Sequence, residues 1–270
     1  MSDHTNPNTH TVRKPLTLVM MALLVVMLTL LAGVRDASAQ PATESATSTV
    51  LITGANRGLG LEFARQYAAA GWTVIGTARQ PDGANELNGL DVRVLQLDVT
   101  DPSSITRMVS SLGGQPIDLL INNAGIFPRV NTLDETSFDD VARTLDVNLI
   151  GPMRVTRALL PNLRKGQAKK IVSITSGLGS IANNDSGRYY GYRESKAALN
   201  MFTRSLAVEL AGEGFTCVVM SPGWVQTDMG GPNARLTPSE SITGMRAVIA
   251  GLTPAETGSY WNYDGEQLPW

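Results

Sequence analysis

Short runs of apolar, β-branched residues alternate along this chain with stretches whose apolar positions recur at helical spacing. The runs at Thr49–Thr53, Thr73–Ala78, Val92–Leu97, Leu119–Asn122, Lys170–Thr175 and Thr216–Met220 predict strands, and a last one is expected near Ser259–Tyr263. Helices are predicted over Leu59–Ala70, Ser103–Ser111, Ser137–Leu163, Tyr190–Ala211 and Ser239–Gly251. Within the strand runs the apolar residues are nearly continuous rather than alternating. That pattern fits strands covered on both faces, hence a parallel sheet with helices on either side. Residues 48–270 therefore read as one doubly wound α/β domain, with no internal repeat and no linker to divide it. In such a domain ligands bind beyond the carboxyl ends of the strands, so the chemistry is expected just after them.

One apolar run stands outside this alternation. Leu16–Val34 carries no charge and, at about 1.5 Å per residue, approaches the thickness of a bilayer core. Arg13 and Lys14 precede it, and Ala37-Ser38-Ala39 follows it. A charged start, an apolar middle and a small-residue end predict a secretory signal peptide or an uncleaved anchor over residues 1–39, followed by a polar tether over 40–47. Either alternative puts the domain outside the cytoplasm, exported or membrane-anchored. A start codon set upstream of the true one would leave it cytoplasmic. Membrane contact is expected only through this segment.

Composition narrows the chemistry. The chain has 270 residues, a net charge of −2, 43% hydrophobic and 17% charged residues, so it is globular and without the basic excess of a nucleic-acid binder. Its two histidines, His4 and His10, both lie before the domain, and Cys217 is the only cysteine. A Ser-His-Asp hydrolase, a histidine-ligated metal, a cysteine metal cluster and an intrachain disulfide are all excluded, and no metal is expected. A proton donor must be a Tyr, Lys, Asp or Glu.

Directly after the first predicted strand comes Thr53-Gly54-Ala55-Asn56-Arg57-Gly58-Leu59-Gly60, running into a helix. Glycines permit a tight turn and close backbone approach to a pyrophosphate, whose charge the helix N-terminus favours. An acidic residue at the end of the second strand would suit the ribose 2′-hydroxyl of NAD; Arg79 stands there instead. With Arg57 in the glycine turn, two guanidinium groups suit a 2′-phosphate, so NADP(H) is favoured over NAD(H).

Further motifs follow in order: Asp98 in Leu97-Asp98-Val99, Asn122-Asn123-Ala124-Gly125, Asn148 in DVNLIGP, Ser176 in VSITSG, Tyr192-Arg193-Glu194-Ser195-Lys196, and Ser221-Pro222-Gly223. Together with the glycine turn they cover nearly all of residues 48–270, and the chain resembles the classical short-chain dehydrogenase/reductase family. The stretch Asn262-Tyr263-Asp264-Gly265 and the short Met229–Met245 segment look like its carbonyl-reductase-type branch. The resemblance implies a single-domain Rossmann-type fold and a hydride transfer between NADP(H) and a small carbonyl or alcohol. It implies that Gly54, Asn56, Arg57, Gly58, Leu59, Gly60 and Arg79 bind cofactor, and that Asp98 and Val99 contact the adenine. Asn123 and Ala124 would line the cofactor's middle, with Pro222, Gly223, Val225 and Thr227 along the nicotinamide. The implied catalytic set is Asn148, Ser176, Tyr192 and Lys196, with Lys196 also bonding the ribose and Asn148 holding a relay water. Family members often pair through two long helices, so a homodimer or homotetramer is expected.

Lys196 follows Tyr192 by four residues, so both project from one helix face. A nearby ammonium is expected to lower the tyrosine pKa and suit it to acid–base work. Residues 181–188, IANNDSGR, read as a small insertion, and the substrate pocket is expected from Asp228–Met245 with loops near Phe127 and Ile181. An alternative reading is a nucleotide-binding sensor or cell-surface signalling protein that uses the same fold without turnover.

Overall fold

The structure is a computed structural model and describes residues 47–270. The export or anchor segment and nearly all of the tether lie outside the described residues. Seven parallel strands form one sheet: β1 Thr49–Ile52, β2 Thr73–Ala78, β3 Arg93–Gln96, β4 Leu119–Asn122, β5 Lys170–Ile174, β6 Thr216–Ser221 and β7 Tyr260–Asn262. Their order across the sheet is β3-β2-β1-β4-β5-β6-β7, which reverses direction between β1 and β4. The expected doubly wound sheet is therefore present, with its switch point beside the glycine turn.

Helices α1 Gly58–Ala69, α2 Asn85–Asn88, α3 Pro102–Leu112, α4 Phe138–Leu145, α5 Gly151–Lys165, α6 Tyr192–Leu210 and α7 Pro238–Gly251 accompany the sheet. β1 shows why its run reads as continuous. Val50 and Ile52 join one apolar layer with Phe63, Tyr67, Met245 and Ile249 from α1 and α7. Leu51 joins the opposite layer with Leu159, Leu163 and Leu206 from α5 and α6. Both faces are dry, which fits the apolar run Val50–Ile52. The third strand is shorter than Val92–Leu97, because it is the sheet edge and its end residues Arg93 and Gln96 face water.

Helix ends follow local chemistry. Asp101 caps α3 by accepting from the Ser103 N–H at 2.8 Å, Pro102 starts it, and Gly113 ends it at φ 58°. Thr237 and Glu240 form a reciprocal capping box on α7. The stretch predicted as one helix over Ser137–Leu163 differs: a π-turn at Asp146–Ile150 separates α4 from α5. No helix among the described residues is long and apolar enough to cross a membrane.

Candidate active site

The ends of β1 and β4 are locked together first. The Thr53 hydroxyl accepts from the backbone N–H of Asn123 at 2.9 Å and of Ala124 at 3.0 Å. In return the Asn123 side-chain amide donates to the carbonyls of Thr53 and Gly54, at 2.9 and 3.1 Å. Gly54 has φ 66°, and a Cβ there would crowd Ala124. A Cβ on Gly60 would strike the Gly54 carbonyl, so Gly60 shapes the turn from beneath and does not line the cleft.

Two adjoining cavities open from these strand ends. One, of about 710 Å³, is polar and lined by Asn56, Arg57, Arg79, Asp98 and Arg107 among others. Arg107 had no motif to announce it; it reaches the cavity from α3, within 3.6 Å of Asp101. Asp98 accepts from the Thr100 hydroxyl at 2.7 Å and its N–H at 2.9 Å. Those bonds, the Thr100 hydroxyl foremost, hold its carboxyl below the usual range. Arg57 and Arg79 share this cavity, as the 2′-phosphate expectation requires. Arg57 is also engaged elsewhere: it pairs with the Asp228 carboxylate at 3.1 Å, across 171 positions of sequence.

The second cavity, of about 400 Å³, gathers Gly54, Asn56, Gly58, Leu59, Val99, Asn123, Ala124, Tyr192, Lys196, Pro222 and Thr227. Gly223 and Val225 are not among its walls. Gly223, at φ 75°, backs onto Leu236 and Tyr263, and Val225 is buried with its backbone bridged to Leu236. Met229 and Asp228 do line it, and Arg129 fastens that segment by donating to the Met229 carbonyl at 2.8 Å.

Around Tyr192 the four expected catalytic residues converge. Tyr192 opens α6 after Gly191, whose φ is 77°, and Lys196 lies one turn on, its Nζ 5.7 Å from the Tyr192 ring centre. The Lys196 ammonium donates to the Ile174 carbonyl at the end of β5 at 2.8 Å. Ser176 follows that strand; its hydroxyl accepts from the Leu178 N–H at 3.2 Å and favours the charged form of the Tyr192 phenol. Burial pushes Tyr192 up to about 12, only partly offset by Ser176, and pushes Lys196 down to about 8. The expected lowering of Tyr192 by Lys196 is thus not the net effect: burial dominates and penalises the charged form of each.

Asn148 is placed by the π-turn, fully buried behind the cleft. Its amide donates to the Ile126 carbonyl at 2.9 Å and to the Ser195 hydroxyl at 3.0 Å, while its Oδ1 accepts from the Ile126 N–H at 2.8 Å. Both amide protons are committed, so its side chain secures the Ile126 backbone, and a water held by Asn148 would have to donate to one of its oxygens. The Ser195 hydroxyl in turn donates to the Tyr192 carbonyl at 2.7 Å. Sequence reasoning passed over Ser195, although it stands inside the Tyr192–Lys196 motif. It also passed over Tyr260, whose hydroxyl donates to the Ser176 carbonyl at 2.5 Å from β7.

A family model for short chain dehydrogenases matches residues 48–235. The C-signal protein of Myxococcus xanthus is 48% identical over 155 residues, 57% of this chain and 93% of its own length. An NADPH-bound carbonyl reductase from chicken fatty liver is 37% identical, with TM-score 0.79 over 83% of this chain and 99% of its own. The carbonyl reductase Sniffer of D. melanogaster is 33% identical, with TM-score 0.78 over 83% of this chain and all of its own.

Proposed function

Since the chain belongs to the short-chain dehydrogenase family of oxidoreductases, we propose that it interconverts a small carbonyl and its alcohol with NADP(H). The observation that carries this reading is that Tyr192 and Lys196 line the same cleft as the glycine turn, with Ser176 acting on the Tyr192 phenol from the end of the neighbouring strand. The glycine cradle fits a dinucleotide, because side chains at Gly54 and Gly60 would be blocked by the neighbouring backbone. Gly54 to Leu59, in the turn that Gly60 shapes, would hold the pyrophosphate, Asp98 and Val99 the adenine, and Asn123 and Ala124 the cofactor's middle. Arg79 and Arg57 would take the 2′-phosphate, Lys196 the ribose, and Pro222 and Thr227 the nicotinamide side.

When bound, the reduced nicotinamide supplies hydride to the carbonyl carbon. The carbonyl oxygen then gains charge and needs a proton. Tyr192 can give it, because burial keeps its phenol protonated at neutral pH. The Ser176 hydroxyl, which acts on the Tyr192 phenol, can hold the same oxygen as its charge develops. The Lys196 ammonium stands beside the ring and stabilises the phenolate left behind.

Loss of reduced-nicotinamide absorbance with a carbonyl panel tests the reading. Tyr192→Phe should retain NADPH binding and lose turnover by roughly 10²–10⁴-fold, the range for a positioned acid. NADPH binding with no turnover by the wild type on any carbonyl or alcohol would sink it. Residues 1–39 would export or anchor the domain; amino-terminal sequencing that finds Gln40 first supports cleavage, and an intact Met1 in the soluble cytoplasmic fraction overturns export.

A further inference from the structure

Arg193 is a buried guanidinium inside a loop that is otherwise open to water. Residues 181–188 are exposed throughout, yet Arg193, one position past Tyr192, is only 7% exposed. Its partners are neutral. Nε donates to the carbonyls of Gly187 at 2.9 Å and Arg188 at 3.2 Å, Nη1 to that of Leu178 at 3.3 Å, and Nη2 to the Ser186 hydroxyl at 3.0 Å. One side chain therefore ties the loop after Ser176 to the loop before Tyr192. The backbone it grips is strained. Arg188 and Tyr189 have φ of 64° and 58°, a region that side chains with a Cβ rarely occupy, and they are consecutive. A left-handed pair of this kind persists only where its surroundings hold it.

The held turn sets an aromatic wall. The Arg193 guanidinium lies 6.0 Å from the centre of the Tyr189 ring. Tyr189 meets Phe127 edge to face at 5.3 Å, and Phe127 lies 4.4 Å from the Tyr192 ring. A carbonyl whose oxygen reaches the Tyr192 hydroxyl has the Phe127 ring as a near neighbour, 4.4 Å from the Tyr192 ring, with Tyr189 behind it. Resting on the reductase reading above, we propose that Arg193 is a positioning residue for the reaction, and that the Phe127–Tyr189 wall it holds selects carbonyl substrates carrying an aromatic ring. Ring edges and faces match such a substituent better than they match an aliphatic chain of equal size.

The test uses the full-length chain with NADPH, paired aryl and aliphatic carbonyls of similar size, and amide hydrogen exchange. Arg193→Gln should speed exchange across residues 178–190 and raise KM for aryl carbonyls about tenfold, with NADPH affinity and the aliphatic substrates changed by less than about twofold. Adding Arg188→Gly, which relieves a left-handed residue, should recover much of that loss. Tyr189→Gly keeps the backbone and removes the ring, so it should reproduce the aryl-selective rise in KM even if Arg193→Gln folds poorly. Unchanged exchange in Arg193→Gln would overturn the clamp. Equal losses on aryl and aliphatic substrates in Tyr189→Gly would overturn the selectivity. A wild type that turns over nothing would instead strike the reductase reading, and the exchange measurement would still decide the clamp.

Discussion

Asn148 pairs with Ile126 as one strand pairs with another: its Oδ1 accepts from the Ile126 N–H and its amide donates to the Ile126 carbonyl, at 2.8 and 2.9 Å. The residue after Asn122-Asn123-Ala124-Gly125 is thereby fixed from behind by a side chain on the π-turn. Replacing Asn148 by Ala strips both partners from a half-buried peptide, so the cost falls at or below about 1–3 kcal/mol for each group left unsatisfied. Denaturant unfolding should show that loss, accompanied by weaker turnover. Unfolding identical to wild type would contradict the pairing.

Tyr260→Phe removes a single hydroxyl, the one that donates to the Ser176 carbonyl. The ring and its packing stay. A stability loss of about 1 kcal/mol is expected, typical of one hydrogen bond. The rate should fall several-fold while NADPH affinity holds, because Ser176 loses its brace and the cofactor cleft does not. Equilibrium dye or nucleotide titration beside steady-state rates separates the two.

Lys196 makes the pH dependence specific. Its folded pKa is pushed down by burial from 10.5 to about 8. Below about pH 8 the folded protein carries a buried ammonium; between about 8 and 10.5 the unfolded chain binds the extra proton, so this group's contribution to stability rises with pH. Wild type should therefore gain on Lys196→Met across that window in parallel unfolding titrations. Carbonyl reduction should decline above about pH 8 as the ammonium discharges, and Lys196→Arg, whatever its absolute rate, should lose that break.

Arg79 and Arg57 divide the labour of charge at the polar cavity unequally. Arg57 is held by Asp228, and both side chains are largely exposed, so that pair contributes little to stability. Arg79→Asp should weaken NADPH about 10–100-fold, in line with charge-assisted bonds of about 1.5–3 kcal/mol, and shift preference toward NADH. Asp228→Asn frees Arg57 and should tighten NADPH slightly. Competition binding of the two cofactors reads both effects.

Much of this architecture can be read from the chain because parallel strands buried on both faces leave unbroken apolar runs such as Thr49–Ile52. Capping residues such as Asp101 and Thr237 set helix starts within a residue or so. What stayed hidden depends on tertiary placement. Five residues, Asp146–Ile150, keep helical periodicity while adopting π geometry, so Ser137–Leu163 reads as one helix. Arg193 is missed because arginine is ordinarily a surface residue and its partners are backbone carbonyls and one serine hydroxyl, which no side-chain pattern reveals. Tyr260 and Ser176 are 84 positions apart, and the β5–β6 and β6–β7 pairings bring them together.

The π-turn also bears on how this protein could be engineered. A wider turn amounts to one surplus residue in a helix, and each residue rotates the following side chains by about 100°. Deleting one position within 146–150 would restore an ordinary helix and swing Asn148 away from Ile126. The shortened helix would gain regular hydrogen bonding at the expense of its functional register. A search for thermostable variants that scores helical regularity would select that deletion, and with it an inert protein.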